Sequence, residues 1–574
     1  MNTISPGHHF RCYRSKATND YLLWPKRGVE FIDLDGAGHM RHDWLRGACR
    51  LGVMPCNGML YIPSNQCFCY PGVNLYGFNA LVAGGPVDAG PAVAERLERG
   101  PAYGVAREAV SPAPGDWPMF RHDPLRSGSA STAVGGEPAC LWEADLGGKL
   151  TQPIVANGRV YVASVDAHTV FCLDARSGER LWRCSAGGRV DSPPAVHEGL
   201  VLFGSADGYV YCLRAEDGVL VWRFRAAPAE RRIVAMGQME SAWPVHGSVL
   251  VKDGVVYTAA GRSSFVDGGI WLYALEPRTG EILHETRIEG PYPDPATDVG
   301  RPFDMDGTRS DVLVSDGSFI YMLQSVFDEE LVQQDAPRLT DLGNRRMGRH
   351  LMATAGLLDD SWWNRTYWMY AECWPGFYIA QQSPKAGQIL VFDDETTYAL
   401  KCYTLRNRHS PMFFPGKTGY LLFADDNDNE PVLVNASGSL EAVAWLPPIH
   451  PAVERTLNEP AVDVDKGVGF TRASPSKWTA WIPVRARAMV LAENALFLAG
   501  PPDVLDPADP LAAFEGRKGA LLWAVEPATG DRQMEIVLES PPVFDGMIAA
   551  QGRLVVALEN GRVVSMGREG PQEG

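Results

Sequence analysis

The stretch QMESAWPVHGSVLVKDGVVYTAAGRSSFVDGG, residues 238–269, gathers Glu240, Trp243, His246, Arg262, Ser263, Ser264 and Asp267 in one short span. Glu240 is an oxygen donor of the kind that ligates calcium. Arg262 offers a planar fork of donors for a carboxylate or another anion. His246 has the ordinary range of a general base, and Trp243 presents a ring on which a planar group can stack. The same residues also have a purely structural reading, in which Glu240 and Arg262 pair with each other and His246 caps a strand.

A second constellation is LLDDSWWNRTYWMYAECWPG, residues 357–376, where Asp359, Asp360, Asn364 and Arg365 lie among Trp362, Trp363, Trp368 and Trp374. Aromatic platforms beside carboxylates bind sugars and planar cofactors, whereas tryptophans alone pack sheets together. A third lies at 55–72, where Cys67 and Cys69 flank Phe68 and would share one face of a strand. With Cys49, Cys56 or Cys12 they suit either disulfides or a soft metal such as zinc or copper(I). Disulfides are the preferred reading, because no C-x-x-C pair frames the cluster. Asp426, Asp428 and Glu430 alternate in FADDNDNEPV but lack the glycine and distal glutamate of a calcium loop, so a solvated turn is expected. No Gly-rich phosphate loop, G-x-S-x-G or H-E-x-x-H occurs.

What would hold these residues is a repeat. FCLDARSGERLWR (171–183) returns as YCLRAEDGVLVWR (211–223), and weaker copies stand at 272–285, 522–535 and 29–44. Ahead of the turns come glycines followed by β-rich runs, as in NGRVYVAS (157–164), EGLVLFGS (198–205), DGVVYTAA (253–260) and QGRLVVAL (551–558). A unit of roughly 40 residues with three or four short strands cannot bury its own faces, so units must pack radially as propeller blades. The expectation is an all-β chain forming one closed propeller of eight blades, with seven as the alternative. Residues 1–82 would supply N-terminal strands that close the ring. Residues 83–115 would form a Pro/Gly-rich linker with a short helix at PAVAERLERG, and 116–570 the repeats.

The strand, the D-x-x-[ST]-G-x-x-x-W turn and the run VLFGSADGYVYCL resemble the repeat of the PQQ-like β-propellers, most strongly over about 117–290. The opening DWPMFRHDPLRSG (116–128) is similar to bacterial propellers of the PQQ-binding-like type. That family holds quinoprotein alcohol and sugar dehydrogenases and the non-catalytic lipoprotein of outer-membrane assembly. The resemblance implies PQQ and Ca²⁺ as cofactors and a small molecule or glycan as ligand. Glu240, Asp360 and Asn364 would then take the metal, Arg262, Trp243 and Trp363 the quinone, and His246 or Asp359 the role of base. The alternative it implies is a non-catalytic scaffold for protein partners. The adjacent cysteine pair common beside the quinone is absent, as is C-x-x-C-H for haem.

A net charge of −17 excludes nucleic acid as the expected partner and disfavours anionic membranes. No run of 18 apolar residues is present, so no transmembrane helix is expected. The first twenty residues have no apolar signal core, which read literally means cytoplasm. The resemblance implies instead a periplasmic or secreted protein whose start has been lost from a longer gene. Eleven cysteines leave at least one outside any intramolecular disulfide scheme.

Overall fold

The computed structural model describes most of residues 13–63, 75–84, 96–292, 306–336, 348–353, 368–372, 385–435 and 461–568. Every regular element among them is a strand, and every pairing between these strands is antiparallel. The glycines ahead of the β-rich runs now have a physical reason. Asn157 and Gly158 take φ of 51° and 73°, and Glu198 with Gly199, Asp253 with Gly254 and Gln551 with Gly552 repeat the pattern. Two successive positive φ values make the two-residue turn whose twist suits a hairpin. Each such turn joins the first strand of a sheet to the second.

In chain order the repeats build four-stranded sheets at 154–185, 195–225, 250–288, 313–334, 389–482 and 488–538, with a three-stranded sheet at 350–387 between the fourth and fifth of these. A last sheet holds Pro542–Ala550, Arg553–Leu558 and Arg562–Gly567, and its fourth strand is Ala139–Asp145. Strands near the start of a sheet are apolar on both faces, as Arg159–Ser164 is, while outer strands such as Arg180–Ser185 alternate. Sheets stacked on both sides require the first pattern, and a half-solvated edge requires the second.

The repeated Gly and Trp are two halves of one contact. Trp182, on the outer strand of the 154–185 sheet, lies over Gly218 in the next sheet, and its Nε1 donates to the Ala215 carbonyl at 3.0 Å. Trp222 sits likewise over Gly280, Trp478 over Gly530, and Trp142 over Gly178. Trp142 belongs to the last sheet and Gly178 to the first repeat sheet, so these two are neighbours. A Cβ at Gly218, where φ is 72°, would stand 2.6 Å from the Trp182 ring. Gly218→Ala is therefore expected to cost about 2 kcal/mol, from backbone strain plus overpacking. Urea unfolding checks it, and an unchanged midpoint would remove the contact from the account.

The segment 115–134 ties the first strands together. Trp117 exchanges backbone hydrogen bonds with Val155, and the carbonyls of Pro118, Pro124, Ser127 and Gly128 accept from Val196, Ser315, Phe392 and Leu491. These partners are spread over five sheets, so this segment, the plug, lies across the first strands of all five. Arg126 is fully buried there and donates to the carbonyls of Leu313 (3.0 Å), Phe120 (2.8 Å) and Val249 (3.1 Å). Burial pushes its guanidinium down to about 9, with Asp123 acting against the shift. Arg121, His122 and Arg126 all hold positive φ, a backbone cost that such a dense network can sustain.

Two expectations need correction. No helix occurs among the described residues. Leu97–Arg99, inside the expected helix, is instead a fifth strand beside Leu220–Arg225. A helix of one or two turns is marginal alone, and the sheet edge offers this stretch a hydrogen-bond ladder, with Arg96 packed on Phe224 and Tyr273. Second, the strand that joins the final sheet comes from 139–145 and not from 1–82, whose described strands form sheets of their own at 16–42 and 54–82. The 389–482 sheet takes Trp478–Ile482 as its last strand, so a three-stranded sheet within 431–472 interrupts it.

Candidate functional site

Glu240 lies on a hairpin, Arg232–Ala235 with Gln238–Ser241, in the connection into the 250–288 sheet. Its turn residues Met236 and Gly237 have φ of 50° and 77°. Backbone bonds from Ser241 to Ala206 and from Val245 to Ser205 pin the returning chain to the 195–225 sheet. Glu240 is thereby fixed in the interior, 3% exposed.

The carboxylate meets two guanidiniums. Arg262, from the turn after Val255–Ala260, is in direct contact with it, and Arg189 lies 3.4 Å away. Arg189 in turn holds Asp191 through two hydrogen bonds of 3.1 Å. Beside them Arg231 stands 3.2 Å from Asp267. Burial raises the Asp267 carboxyl, with Arg231 and Arg262 opposing the rise. Trp243 is buried and donates from Nε1 to the Asp267 carbonyl at 2.9 Å. His246 is buried just beyond it. Ser263 and Ser264 are also buried, and their hydroxyls accept from the backbone of Phe265 and Thr308. The cluster thus sets three arginines against three acids.

The structure brings the Glu240 and Arg262 side chains together. Asp359, Asp360, Trp363 and Asn364 lie outside the described residues, as do Cys67 and Cys69. Cys49 and Cys56 are both exposed. Asp426 and Asp428 are open to solvent, but Glu430 pairs with the buried Lys385 at 2.5 Å. Sequence reading missed Arg189 and Asp191, although they occupy the connection one repeat earlier than the Glu240 hairpin, where a repeat alignment would have sought partners.

Calcium does not fit Glu240 as placed. A divalent cation there would stand beside two guanidiniums that already balance the carboxylate. Among the described residues no group of three or more His, Cys, Asp or Glu could hold a metal ion. Glu240→Gln is expected to cost about 2 kcal/mol, because it takes the Glu240 charge from the largely buried Arg262 and leaves Arg189 with Asp191 alone. Glu240→Gln with Arg262→Met should recover part of that loss in urea unfolding. Equal midpoints for wild type and the single variant would remove the structural role.

Residues 137–319 match the family described as outer membrane protein assembly factor BamB. Among solved structures, the chain is similar to the quinohemoprotein alcohol dehydrogenase from Comamonas testosteroni, at 14% identity and a TM-score of 0.43, covering 80% of this chain and 82% of that one. It is similar to BamB from Moraxella catarrhalis at 10% identity and a TM-score of 0.28, covering 74% and 84%. No curated protein matches the chain.

Proposed function

With residues 137–319 as PQQ-like propeller repeats, we propose that 116–570 is one propeller of eight blades, closed by Ala139–Asp145, and that it works as a non-catalytic periplasmic scaffold for a protein partner. Closure is supported by Trp142 lying over Gly178, which makes the last and first sheets neighbours. The observation that carries the scaffold reading is the state of Glu240. The carboxylate that a quinoprotein would turn toward a metal is held between Arg189 and Arg262.

The same hairpin offers a contact surface. Val234 and Met239 pair across it at 74% and 56% exposure, and Met236 at its tip is 50% exposed. Projecting apolar side chains held by a pinned hairpin suit a protein groove better than bulk water. Periplasmic placement and assembly partners rest on the family that residues 137–319 match.

The competing reading is a quinoprotein oxidoreductase with PQQ and Ca²⁺ at this mouth, and the clustered Trp and Asp of 357–376 favour it. The two are separated by adding PQQ and Ca²⁺ to purified protein, then recording the ultraviolet–visible spectrum after gel filtration and dye reduction with alcohols and sugars. The scaffold predicts no retained quinone absorbance and no turnover. Retained quinone with turnover overturns it.

A further inference from the structure

Against the plug lies a cavity of about 420 Å³. The plug, the turn after Leu313–Ser315 and the turn after Ile389–Phe392 form its walls. That volume is within the range of small-molecule sites. Four carboxylates line it: Asp123, Asp316, Asp393 and Asp394. Among the described residues none of the four is paired with a lysine or arginine, and only Asp123 has a histidine nearby, His122 at 3.4 Å. The cation on the rim, Arg349, is engaged by Asp428 at 2.7 Å.

The carboxylates differ in what they have left to give. Asp316 accepts the backbone N–H groups of Ser318 and Phe319 on one oxygen, and the Tyr321 hydroxyl and the Gly348 N–H on the other. Both oxygens of Asp123 are taken up by Ser127 and His122. One oxygen of Asp393 accepts from Glu395 and Thr396. Asp394 makes no hydrogen bond among the described residues.

The floor supplies a second and independent feature. Tyr370 is only 9% exposed and stacks on Phe392 with ring centroids 3.8 Å apart. Its hydroxyl has no hydrogen-bond partner among the described residues, although it lines the cavity. The hydroxyl itself stays open to the cavity, so a polar group of a ligand there would find both a donor and an acceptor.

We propose that this cavity binds a small organic amine in its ammonium form, with Asp394 and the Tyr370 hydroxyl as its polar contacts and the Tyr370, Phe392 and Phe319 rings against its apolar body. Unbalanced negative charge selects a cation, and aromatic walls select an organic one. A bare metal ion is disfavoured, because Asp123 and Asp316 have spent their oxygens on hydrogen bonds. The site is independent of the scaffold reading, since it uses none of the residues around Glu240.

The probe is phenethylamine, titrated calorimetrically into the whole protein at low and high salt, with phenylacetate, glucose and CaCl₂ as separate arms. Phenethylamine should bind, more weakly in high salt, and the other three should not. Asp394→Asn, at an exposed turn position without hydrogen bonds to lose, should weaken binding about fivefold or more, as should Tyr370→Phe. No heat with phenethylamine up to tens of millimolar overturns the proposal, a concentration at which even a ligand making only a few contacts would register. So does equal binding of phenylacetate or glucose, binding of calcium alone, or unchanged affinity in Asp394→Asn.

Discussion

Arg121→Met is expected to lower the unfolding free energy by about 4 kcal/mol, a cost typical of breaking a buried ion pair from one side. Arg121 and Asp545 are 2.9 Å apart at 0% and 2% side-chain exposure. Burial raises the Asp545 carboxyl, and Arg121 is the charge that opposes the rise. Removing the guanidinium leaves an acid in the interior with nothing to balance it. It also strips donors from the Leu390 and Arg126 carbonyls and a cation from the Trp368 ring, 4.6 Å away. Met fills much of the same volume, so the loss reports polar pairing and not a cavity. Arg121→Met with Asp545→Leu removes both charges and should recover about half of the loss, since the desolvation cost of the pair disappears with it. Urea midpoints for the four proteins of the cycle give the coupling, and limited proteolysis should find 115–134 newly cleavable in the single variant. Additive losses with no recovery would mean that the plug is not held by this pair.

That arginine was invisible in the sequence for a reason that also explains what was visible. The Gly and Trp of the turn motif recur every forty or so positions because each contact joins neighbouring sheets, as Trp182 joins Gly218. Periodic contacts leave periodic residues. Arg121 and Arg126 act once per molecule, on carbonyls and an acid up to 424 positions away, and nothing repeats. Glu240 and Arg262 were found because they share one repeat, while Arg189 was missed because it belongs to the repeat before. At residues 97–99 local composition favoured a helix, and the open edge of the 195–225 sheet decided otherwise. The fourth strand of the last sheet was not legible in Ala139–Asp145 for want of a repeat signal there. Its Trp142 carried the signal all along, because it occupies the position over Gly178 that Trp182 occupies over Gly218.

Acid should unfold this protein partly through one histidine. His350 is 2% exposed, stacked at 3.6 Å on Tyr321, with Nδ1 donating to the Gly348 carbonyl at 3.1 Å. Burial pushes it down to about 4, outweighing the Gly348 and Leu323 carbonyls and Asp316, which favour the charged ring. In the unfolded chain it returns to about 6.5. As pH falls through that value, the unfolded state takes up a proton that the native state refuses. Stability that is fully present above 6.5 is therefore lost down to about 4, below which both states are protonated. The shift amounts to about 3 kcal/mol over the window, at 1.36 kcal/mol per pH unit. His350→Gln keeps a donor for Gly348 but cannot titrate. It should be less stable than wild type at pH 7 yet lose about 2–3 kcal/mol less between pH 7 and 4.5. Other histidines and the carboxylates titrate in both proteins, so only the difference between the two curves counts. Parallel curves would show that His350 takes up its proton at the same pH in the native and unfolded states, and burial would then not govern it.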